Sequence, residues 1–334
     1  MKPFSLLVKP VGGACNLDCH YCFYKRDHEG GMMSFDTAQR LFSAYAELPF
    51  ADKSVALQGG EPLLALDTPV FSLLNSYPIG KLLQTNATLI TDDVAAMLAR
   101  DNWLVGVSLD GPRELNRLRG NSFDAAVAGI RALERAGCDY NFLTVVSTAN
   151  VAHPKEVYRF LRDTFSTRFH QYIDCTGPCD EITGEAWGEF LVGLFDEWIK
   201  HDARTVSVRL FDSIVSQMLL GYPTQCSYGP TCRQYLTIEY DGSVYPCDFH
   251  VRPDLKLGNI NTDSFEELLA SPIYERFAAA KTACLPDTCK ACPYLRFCWG
   301  DCPRSKRRMC AGLKRFFAHA LPRLAELAED CRCG

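Results

Sequence analysis

Cysteine content is the feature that most constrains what this chain can fold into. The 334 residues include seventeen cysteines: three lie near the start, three stand apart in the middle, and eleven follow residue 225. Disulfide frameworks belong to small secreted domains, and this chain is neither small nor evidently exported. Closely spaced cysteines in a reducing compartment are typical of ligands to metal ions or iron–sulfur clusters. We therefore expect inorganic groups to hold parts of the fold together, above all after residue 225.

Charge and hydropathy narrow the class of protein. The formal net charge is −5 and the sequence contains no basic block, so a nucleic-acid backbone is not an expected partner. No apolar run is long enough to cross a bilayer, and the N-terminal stretch is too quickly interrupted by Pro and Gly to be a signal peptide. We expect a cytoplasmic, monomeric enzyme that contacts neither membrane nor nucleic acid.

The first two thirds of the chain alternate strand-like apolar runs with amphipathic, helix-like stretches. The helix Phe35–Leu48, for example, has Ser34 as its predicted N-cap. The predicted strands are Phe4–Lys9, Lys53–Gln58, Lys81–Gln84, Trp103–Leu109, Tyr140–Ser147 and Arg168–Ile173. Six such βα units predict an α/β fold with a parallel sheet and helices on its outer face. Because the chain then turns helical over Gly184–Leu220, a partial, TIM-like (β/α)6 barrel fits better than a closed eight-stranded one.

The pattern of alternating strands and helices ends after residue 225. Tyr235–Val244 predicts a β-hairpin with Asp241-Gly242 at its turn. Short helical stretches and dense cysteines follow, and Arg315–Leu327 predicts a closing helix. We therefore expect two domains: a barrel with connecting helices over residues 1–224, and a cysteine-rich domain over residues 225–334.

The first chemical constellation is C-x3-C-x2-C in the loop after the first strand. Three thiolates, Cys15, Cys19 and Cys22, can hold three irons of a 4Fe–4S cube and leave the fourth iron open. An open coordination position on a metal is where a substrate binds. The spacing also permits a zinc knuckle completed by His20 or His28.

Polar and glycine-rich segments follow the later strands. In QGGEP, Gly60 lets the backbone approach a ligand closely and Glu61 can accept from an ammonium group, although a tight turn is the simpler interpretation. Ser108 ends the fourth strand, and its hydroxyl can bond a ribose or a carboxylate. Arg119 can pair with a carboxylate or be an ordinary surface charge. Asn86 is a weaker candidate, because a turn is its default role.

The second cysteine group lies in the C-terminal third. It contains C-x2-C-x5-C-x3-C and supplies eight thiolates, enough for two fully ligated 4Fe–4S clusters. Two structural zinc sites with four cysteines each are equally compatible with the spacing. The residues are Cys226, Cys232, Cys247, Cys289, Cys292, Cys298, Cys302 and Cys310.

The stretches CNLDCHYCFY, LQGGEP, VGVSLDGP and DGSVYPCDF together resemble radical S-adenosylmethionine enzymes that carry a SPASM auxiliary-cluster domain. More narrowly, the chain resembles the anaerobic sulfatase-maturating enzymes from end to end. The resemblance implies S-adenosylmethionine and three 4Fe–4S clusters as cofactors. It implies that Tyr21 lies against the adenine and that Gly60 and Glu61 receive the methionine amino group. Ser108 would bind the ribose or the methionine carboxylate, and Arg119 would pair with that carboxylate.

The resemblance also implies how the C-terminal ligands are shared. Two interlaced sets follow: Cys226, Cys232, Cys247 and Cys302 for one cluster, and Cys289, Cys292, Cys298 and Cys310 for the other. The segment between Cys302 and Cys310 is shorter than in the family. That departure bears on the ligand role of Cys310.

The activity implied by the resemblance is radical oxidation of a Cys or Ser side chain in an unfolded sulfatase, within a C/S-x-P-x-R motif, to formylglycine. Asp248 would be the general base, although by itself it could equally bond backbone N–H groups near a cluster. A flavodoxin or ferredoxin would donate electrons. The alternatives are a maturase that crosslinks or epimerises a ribosomal peptide, and a non-catalytic electron-transfer or zinc protein. The sequence does not distinguish a Cys from a Ser target.

Overall fold

The computed structural model describes residues 3–175, 179–305 and 307–333. Its strands are β1 Ser5–Val8, β2 Ser54–Leu57, β3 Gly80–Thr85, β4 Trp103–Ser108, β5 Tyr140–Val146, β6 Phe169–Asp174, β7 Ser207–Val208, β8 Tyr235–Ile238, β9 Ser243–Tyr245 and β10 Gly258–Asn259. Its helices are α1 Phe35–Ala46, α2 Pro69–Asn75, α3 Asp92–Arg100, α4 Phe123–Ala136, α5 Pro154–Thr164, α6 Gly184–His201, α7 Arg209–Leu220, α8 Phe265–Leu269, α9 Pro272–Ala283, α10 Asp287–Lys290, α11 Leu295–Cys298 and α12 Cys310–Cys333. Over the described residues, no helix is both long and apolar enough to cross a membrane.

The α/β class predicted from the sequence is confirmed, and each of the six predicted strands is present within one or two residues of its expected ends. Ser34 caps α1 as expected, because its side chain accepts from the Thr37 N–H. Two differences are informative. The helical stretch after β6 is interrupted by β7, which is too short to leave a periodic signal, and the closing helix α12 is longer than its apolar pattern suggested.

Two compact units make up the chain. The first comprises Met1–Ser108, Asp124–Tyr140 and Cys232–Ala279, and the second comprises Leu109–Phe123, Asn141–Thr231 and Ala280–Gly334.

The first unit is built on a sheet in which β8, β1, β2, β3 and β4 lie side by side and parallel. The hairpin strand β9 runs antiparallel to β8, and β10 antiparallel to β9. The sequence predicted this hairpin, but not that β8 pairs with β1. The segments that follow β1, β2, β3 and β4 leave the same edge of the sheet, which is where α/β folds carry their sites.

The second unit contains the parallel strands β5, β6 and β7 and a close pair of helices, α6 and α12. The two helices approach through glycines: a Cβ on Gly312 would lie 1.8 Å from the Gly184 carbonyl oxygen. Phe195 and Phe316 pack edge to face beside this crossing. The first residue of α12 is Cys310, so this packing also fixes one of the predicted cluster ligands.

Candidate active site

The cysteine loop begins directly after β1 and is bound to the backbone of the QGGEP segment. The Gly60 N–H donates to the Gly12 carbonyl (2.8 Å), and the Glu61 N–H donates to the Ala14 carbonyl (2.8 Å). A Cβ on Gly60 would lie only 1.8 Å from the Ala14 oxygen, so no side chain fits there. The structure therefore gives Gly60 a role that sequence analysis missed, as the contact surface on which the cysteine loop rests.

Substitution of Gly60 by Ala is expected to displace the cysteine loop, because the new methyl group would overlap the Ala14 carbonyl. The expected result is loss of about four irons per chain from a total of about twelve, the content of one cube among three. Iron analysis of the reconstituted protein measures this. Gly229→Ala is the matched control, since its Cβ would meet nothing closer than 3.7 Å. An unchanged iron content in the Gly60 variant would contradict the assigned contact.

The three thiols of the loop are half-buried, and two of them accept backbone N–H groups. Leu17 donates to Cys15 Sγ (3.4 Å) and Lys25 donates to Cys22 Sγ (3.4 Å). Burial raises the pKa of Cys15, and the Leu17 N–H and the Lys25 ammonium oppose that rise. N–H groups aimed at sulfur are the interactions that hold and tune thiolate ligands of iron–sulfur clusters.

An amide and hydroxyl network ties the cysteine loop to the end of β3. Asn86 Nδ2 donates to Asn16 Oδ1 (2.9 Å), Asn16 Nδ2 donates to Thr88 Oγ1 (2.8 Å), and Thr88 Oγ1 donates to Asn86 Oδ1 (2.6 Å). Asn86 Nδ2 also reaches Cys15 Sγ at 3.9 Å. Asn86, only a weak candidate by sequence, thus orients the loop. Asn16 and Thr88 were missed, because a polar residue in a loop carries no distinguishing pattern.

Glu61 is almost completely buried and its carboxylate accepts three hydrogen bonds within the protein. They come from Thr85 Oγ1 (2.7 Å), the Asn86 N–H (2.8 Å) and the Leu63 N–H (3.1 Å). Burial raises the pKa of Glu61 to about 7, and these hydrogen bonds work against that rise. The carboxylate therefore fastens QGGEP to the end of β3. Its predicted contact with the methionine ammonium stays a prediction.

The remaining predicted cofactor residues occupy distinct settings. Tyr21 is buried within the cysteine loop, and Ser108 is the last residue of β4. Arg119 is buried, and its guanidinium binds Asp110 in a bidentate fashion, Nε to Oδ2 at 2.9 Å and Nη2 to Oδ1 at 3.1 Å. A buried forked pair of this kind holds the guanidinium in one orientation. The roles of these three residues toward S-adenosylmethionine stay predictions.

A buried lysine, which sequence analysis overlooked, lies beside both the cysteine loop and Asp248. Lys9 directly follows β1 and is 2% exposed. Burial lowers its pKa, while the negative charges of Asp248 and Glu239, followed by the thiols of Cys247 and Cys22, raise it. The charges of the Asp248 segment and of the cysteine loop thus act on one buried ammonium in the first unit. The sequence offered one signal for this residue, a lysine that stands between an apolar strand and Pro10.

Tyr24 connects this lysine to a second carboxylate. The Lys9 ammonium lies 4.0 Å from the centroid of the Tyr24 ring, and the Tyr24 hydroxyl donates to Glu239 at 2.6 Å. His28 stacks on the Tyr24 ring, with the two ring centroids 4.3 Å apart. Asp248 itself is half-buried in a single helical turn, with Cys247 Sγ 3.6 Å from its Oδ1. The group is thus ordered by packing as well as by charge.

In the second unit, one cavity brings together the four cysteines that the family pattern assigns to one cluster. Cys289, Cys292, Cys298 and Cys310 all line one pocket, with Leu313 and Phe317 among its apolar walls. Four thiolates around one pocket are the ligand set that a fully ligated 4Fe–4S cube requires. The shorter segment before Cys310 does not remove it from this group.

The other predicted set of ligands is divided between the two units. Cys226 and Cys302 belong to the second unit, where burial raises the pKa of Cys302 to about 12 and Cys226 adds to that rise. Cys232 and Cys247 belong to the first unit. In that unit the Cys232 N–H donates to the Ala278 carbonyl (3.2 Å).

Two protein-family models match the chain. The model of the Radical SAM superfamily matches residues 10–161, and that of the SPASM iron-sulfur cluster-binding domain matches residues 226–293. The first match includes the cysteine loop and QGGEP, and the second includes Asp248 and the C-x2-C pair. The two matches thus include the cysteine loop and five of the eight C-terminal cysteines, and Cys298, Cys302 and Cys310 follow the end of the second match.

Characterised relatives match over nearly the whole length. A cysteine-type anaerobic sulfatase-maturating enzyme of Clostridium perfringens is 30% identical and covers 99% of this chain and 100% of its own. A cysteine-type enzyme of Clostridium novyi is 32% identical, covering 98% of each chain. The serine-type enzyme of Bacteroides thetaiotaomicron is 29% identical, covering 96% of this chain and 90% of its own. The solved structure of native anSMEcpe with bound AdoMet and Cp18Cys peptide superposes with a TM-score of 0.92 at 30% identity, covering 99% and 100%.

Proposed function

This chain belongs to the anaerobic sulfatase-maturating enzymes, and on that premise we propose that it oxidises a Cys or Ser side chain of a sulfatase to formylglycine with S-adenosylmethionine. The observation that carries the proposal is the pairing of β1, which the cysteine loop follows, with β8 of the hairpin that leads to Asp248. A carboxylate beside a cluster-binding loop is what removal of a substrate proton next to a hydrogen-abstracting cofactor requires.

We propose that Cys15, Cys19 and Cys22 hold the 4Fe–4S cluster that binds S-adenosylmethionine. When both are bound, the cluster and S-adenosylmethionine would together supply a 5′-deoxyadenosyl radical that takes one hydrogen atom from the β-carbon of the target residue. The protein contributes geometry: Gly60 and Asn86 fix the loop, and the half-buried thiols limit access of water to the cluster. Tyr21, Glu61, Ser108 and Arg119 are proposed to position S-adenosylmethionine.

The chain's own chemical step is removal of the thiol or hydroxyl proton of the target. We propose Asp248 as the acceptor of that proton, because a carboxylate within hydrogen-bond reach can serve as a general base. Lys9 is buried in the same unit, and the negative charge of Asp248 acts on its ammonium. The target residue thus loses one hydrogen atom from its β-carbon, one proton from its thiol or hydroxyl, and one electron, which an auxiliary cluster would accept. The product is an aldehyde, or a thioaldehyde that water converts to the aldehyde with release of hydrogen sulfide.

The two interlaced cysteine sets are proposed to hold the auxiliary clusters. Support for the set of Cys289, Cys292, Cys298 and Cys310 comes from the cavity that they share. The set of Cys226, Cys232, Cys247 and Cys302 rests on the family pattern. Cys247 directly precedes Asp248, so a cluster held there would lie next to the site of proton removal.

The substrate is a peptide or protein, and we propose an unfolded sulfatase segment with the motif C/S-x-P-x-R. Relatives of both the cysteine and the serine type match this chain at similar identity, 30% and 29%, so both targets are candidates. A flavodoxin or ferredoxin is the proposed electron donor. The many free thiols favour a reducing, cytoplasmic setting, and we propose a monomer.

Incubation of the reconstituted protein with S-adenosylmethionine, dithionite and paired C-x-P-x-R and S-x-P-x-R peptides tests the function. The expected result is loss of two hydrogens from the serine peptide, or conversion of the CH2–SH group to an aldehyde in the cysteine peptide. Mass spectrometry measures both changes. Formation of 5′-deoxyadenosine without modification of either peptide would refute the substrate assignment. A peptide with Ala at the target position is the control.

A further inference from the structure

The cysteine-rich part of the second unit carries a concentration of positive charge that the overall composition hides. Between Lys290 and Arg315 the sequence has eight lysines and arginines and a single acidic residue, Asp301, although the whole chain has a net charge of −5. Asp301 is buried and accepts from Ser305 Oγ (2.6 Å), so it does not offset charge at the surface. This segment encloses the cavity of the four cysteines.

Several of these cations are neutralised by neighbours within the same unit. Lys290 pairs with Asp287, Arg308 pairs with Glu181, and Arg315 pairs with Glu189. Such pairs contribute little net field at the surface.

Arg307 and Lys314 differ from these cations. Both are exposed, both line the cysteine cavity, and among the described residues neither has a carboxylate oxygen within 4.0 Å. Arg307 is also held in place, because its Nη2 donates to the Cys284 carbonyl (2.5 Å). Two positive charges, one of them held in place, therefore rim the cavity in which the cysteines are only half-buried.

We propose that Arg307 and Lys314 form the docking site for an acidic one-electron carrier protein of the flavodoxin or ferredoxin class. The proposal rests on the proposed function, which needs such a carrier. A cluster in this cavity would lie close to the surface, and opposite charge across an interface steers and orients the encounter. The exchange is of one electron: the reduced carrier loses it, the cluster held by the four cysteines gains it, and no bond forms or breaks.

The test measures the Kd of a reduced flavodoxin for the reconstituted protein by isothermal titration under anaerobic conditions. In the double variant Arg307→Glu/Lys314→Glu the Kd is expected to rise at least about tenfold, and the Kd of the unaltered protein should rise steeply with added salt. Lys155→Glu, a reversal of an exposed charge on α5, is the matched control and should change the Kd by less than about twofold.

Two further readouts distinguish a loss of carrier docking from a loss of intact, iron-replete protein and from failure of the proposed function. Iron content and melting temperature report whether the double variant is intact, and Arg307→Gln/Lys314→Gln replaces it if either has fallen. The ratio of the flavodoxin-supported rate to the dithionite-supported rate of peptide oxidation should fall with the docking variant. An unchanged Kd and ratio in an iron-replete variant, or an equal loss in Lys155→Glu, would overturn the proposal. Failure of the proposed function would instead abolish the dithionite-supported reaction of the unaltered protein.

Discussion

Replacement of Asp248 by Asn is expected to lower the rate of formylglycine formation by about 10²- to 10⁴-fold, the range that a positioned general base contributes. Asparagine keeps the size of the side chain and its place beside Cys247, but it cannot accept the substrate proton. Hydrogen abstraction does not depend on that proton transfer. The ratio of 5′-deoxyadenosine to formylglycine should therefore rise well above that of the unaltered protein, and liquid chromatography with mass spectrometry measures both products.

Asp254→Asn is the matched control, because Asp254 lies in the same segment, is exposed and pairs with Arg252 at the surface. It should leave both products within about twofold, as expected for an exposed ion pair. If Asp248→Asn retained full formylglycine formation, the carboxylate would be a structural group beside a cluster. Equal loss of both products, with iron missing from the protein, would likewise point to a structural role.

Replacement of Lys9 by Met has the second largest expected effect, a loss of about 10- to 100-fold in formylglycine formation, because it removes a buried cation on which Asp248 and Glu239 act. The contact of the ammonium with the Tyr24 ring, 4.0 Å from its centroid, would be lost as well. Tyr24 is bonded to Glu239, so the packing around Asp248 would lose the group that orders it. The ratio of 5′-deoxyadenosine to product should rise here as well, while the KM for the peptide changes little.

Lys9→Arg restores the positive charge and should recover a large part of the product, which a purely steric role for Lys9 would not allow. Lys53→Met serves as the control, since Lys53 also adjoins a strand of the same sheet but contacts the Phe50 carbonyl near the surface. A Lys9→Met variant with an unchanged product ratio would show that its charge does not act on Asp248.

The sequence was sufficient to predict the fold class and the six strands of the βα units, because the signals for these elements are local. The β-strands have continuous apolar runs, and N-caps such as Ser34 and Thr91 mark helix starts in the sequence itself. The pairing of β8 with β1 was not predictable, because it joins segments more than two hundred residues apart and no local pattern encodes a strand's neighbour. That pairing brings the Asp248 segment to the sheet that carries the cysteine loop.

The candidate site was predictable where it consists of a residue type that has few roles in proteins. Clustered cysteines indicate metal or cluster ligation, and they were found from spacing alone. Lys9, Asn16 and Tyr24 were missed because lysine, asparagine and tyrosine occur in most loops and strand ends. Their roles come from burial and from contacts between distant segments. Glu61 shows the converse, since its motif was recognised but its hydrogen bonds to Thr85 and Asn86 were not.

The central claim is that this protein removes a β-hydrogen of a Cys or Ser residue in a peptide. The most direct test uses a C-x-P-x-R peptide, or its serine counterpart, deuterated at the target β-carbon and incubated with S-adenosylmethionine and dithionite. The account predicts deuterium in the 5′-deoxyadenosine in proportion to the formylglycine formed. Formation of 5′-deoxyadenosine that contains no deuterium with either peptide would contradict it.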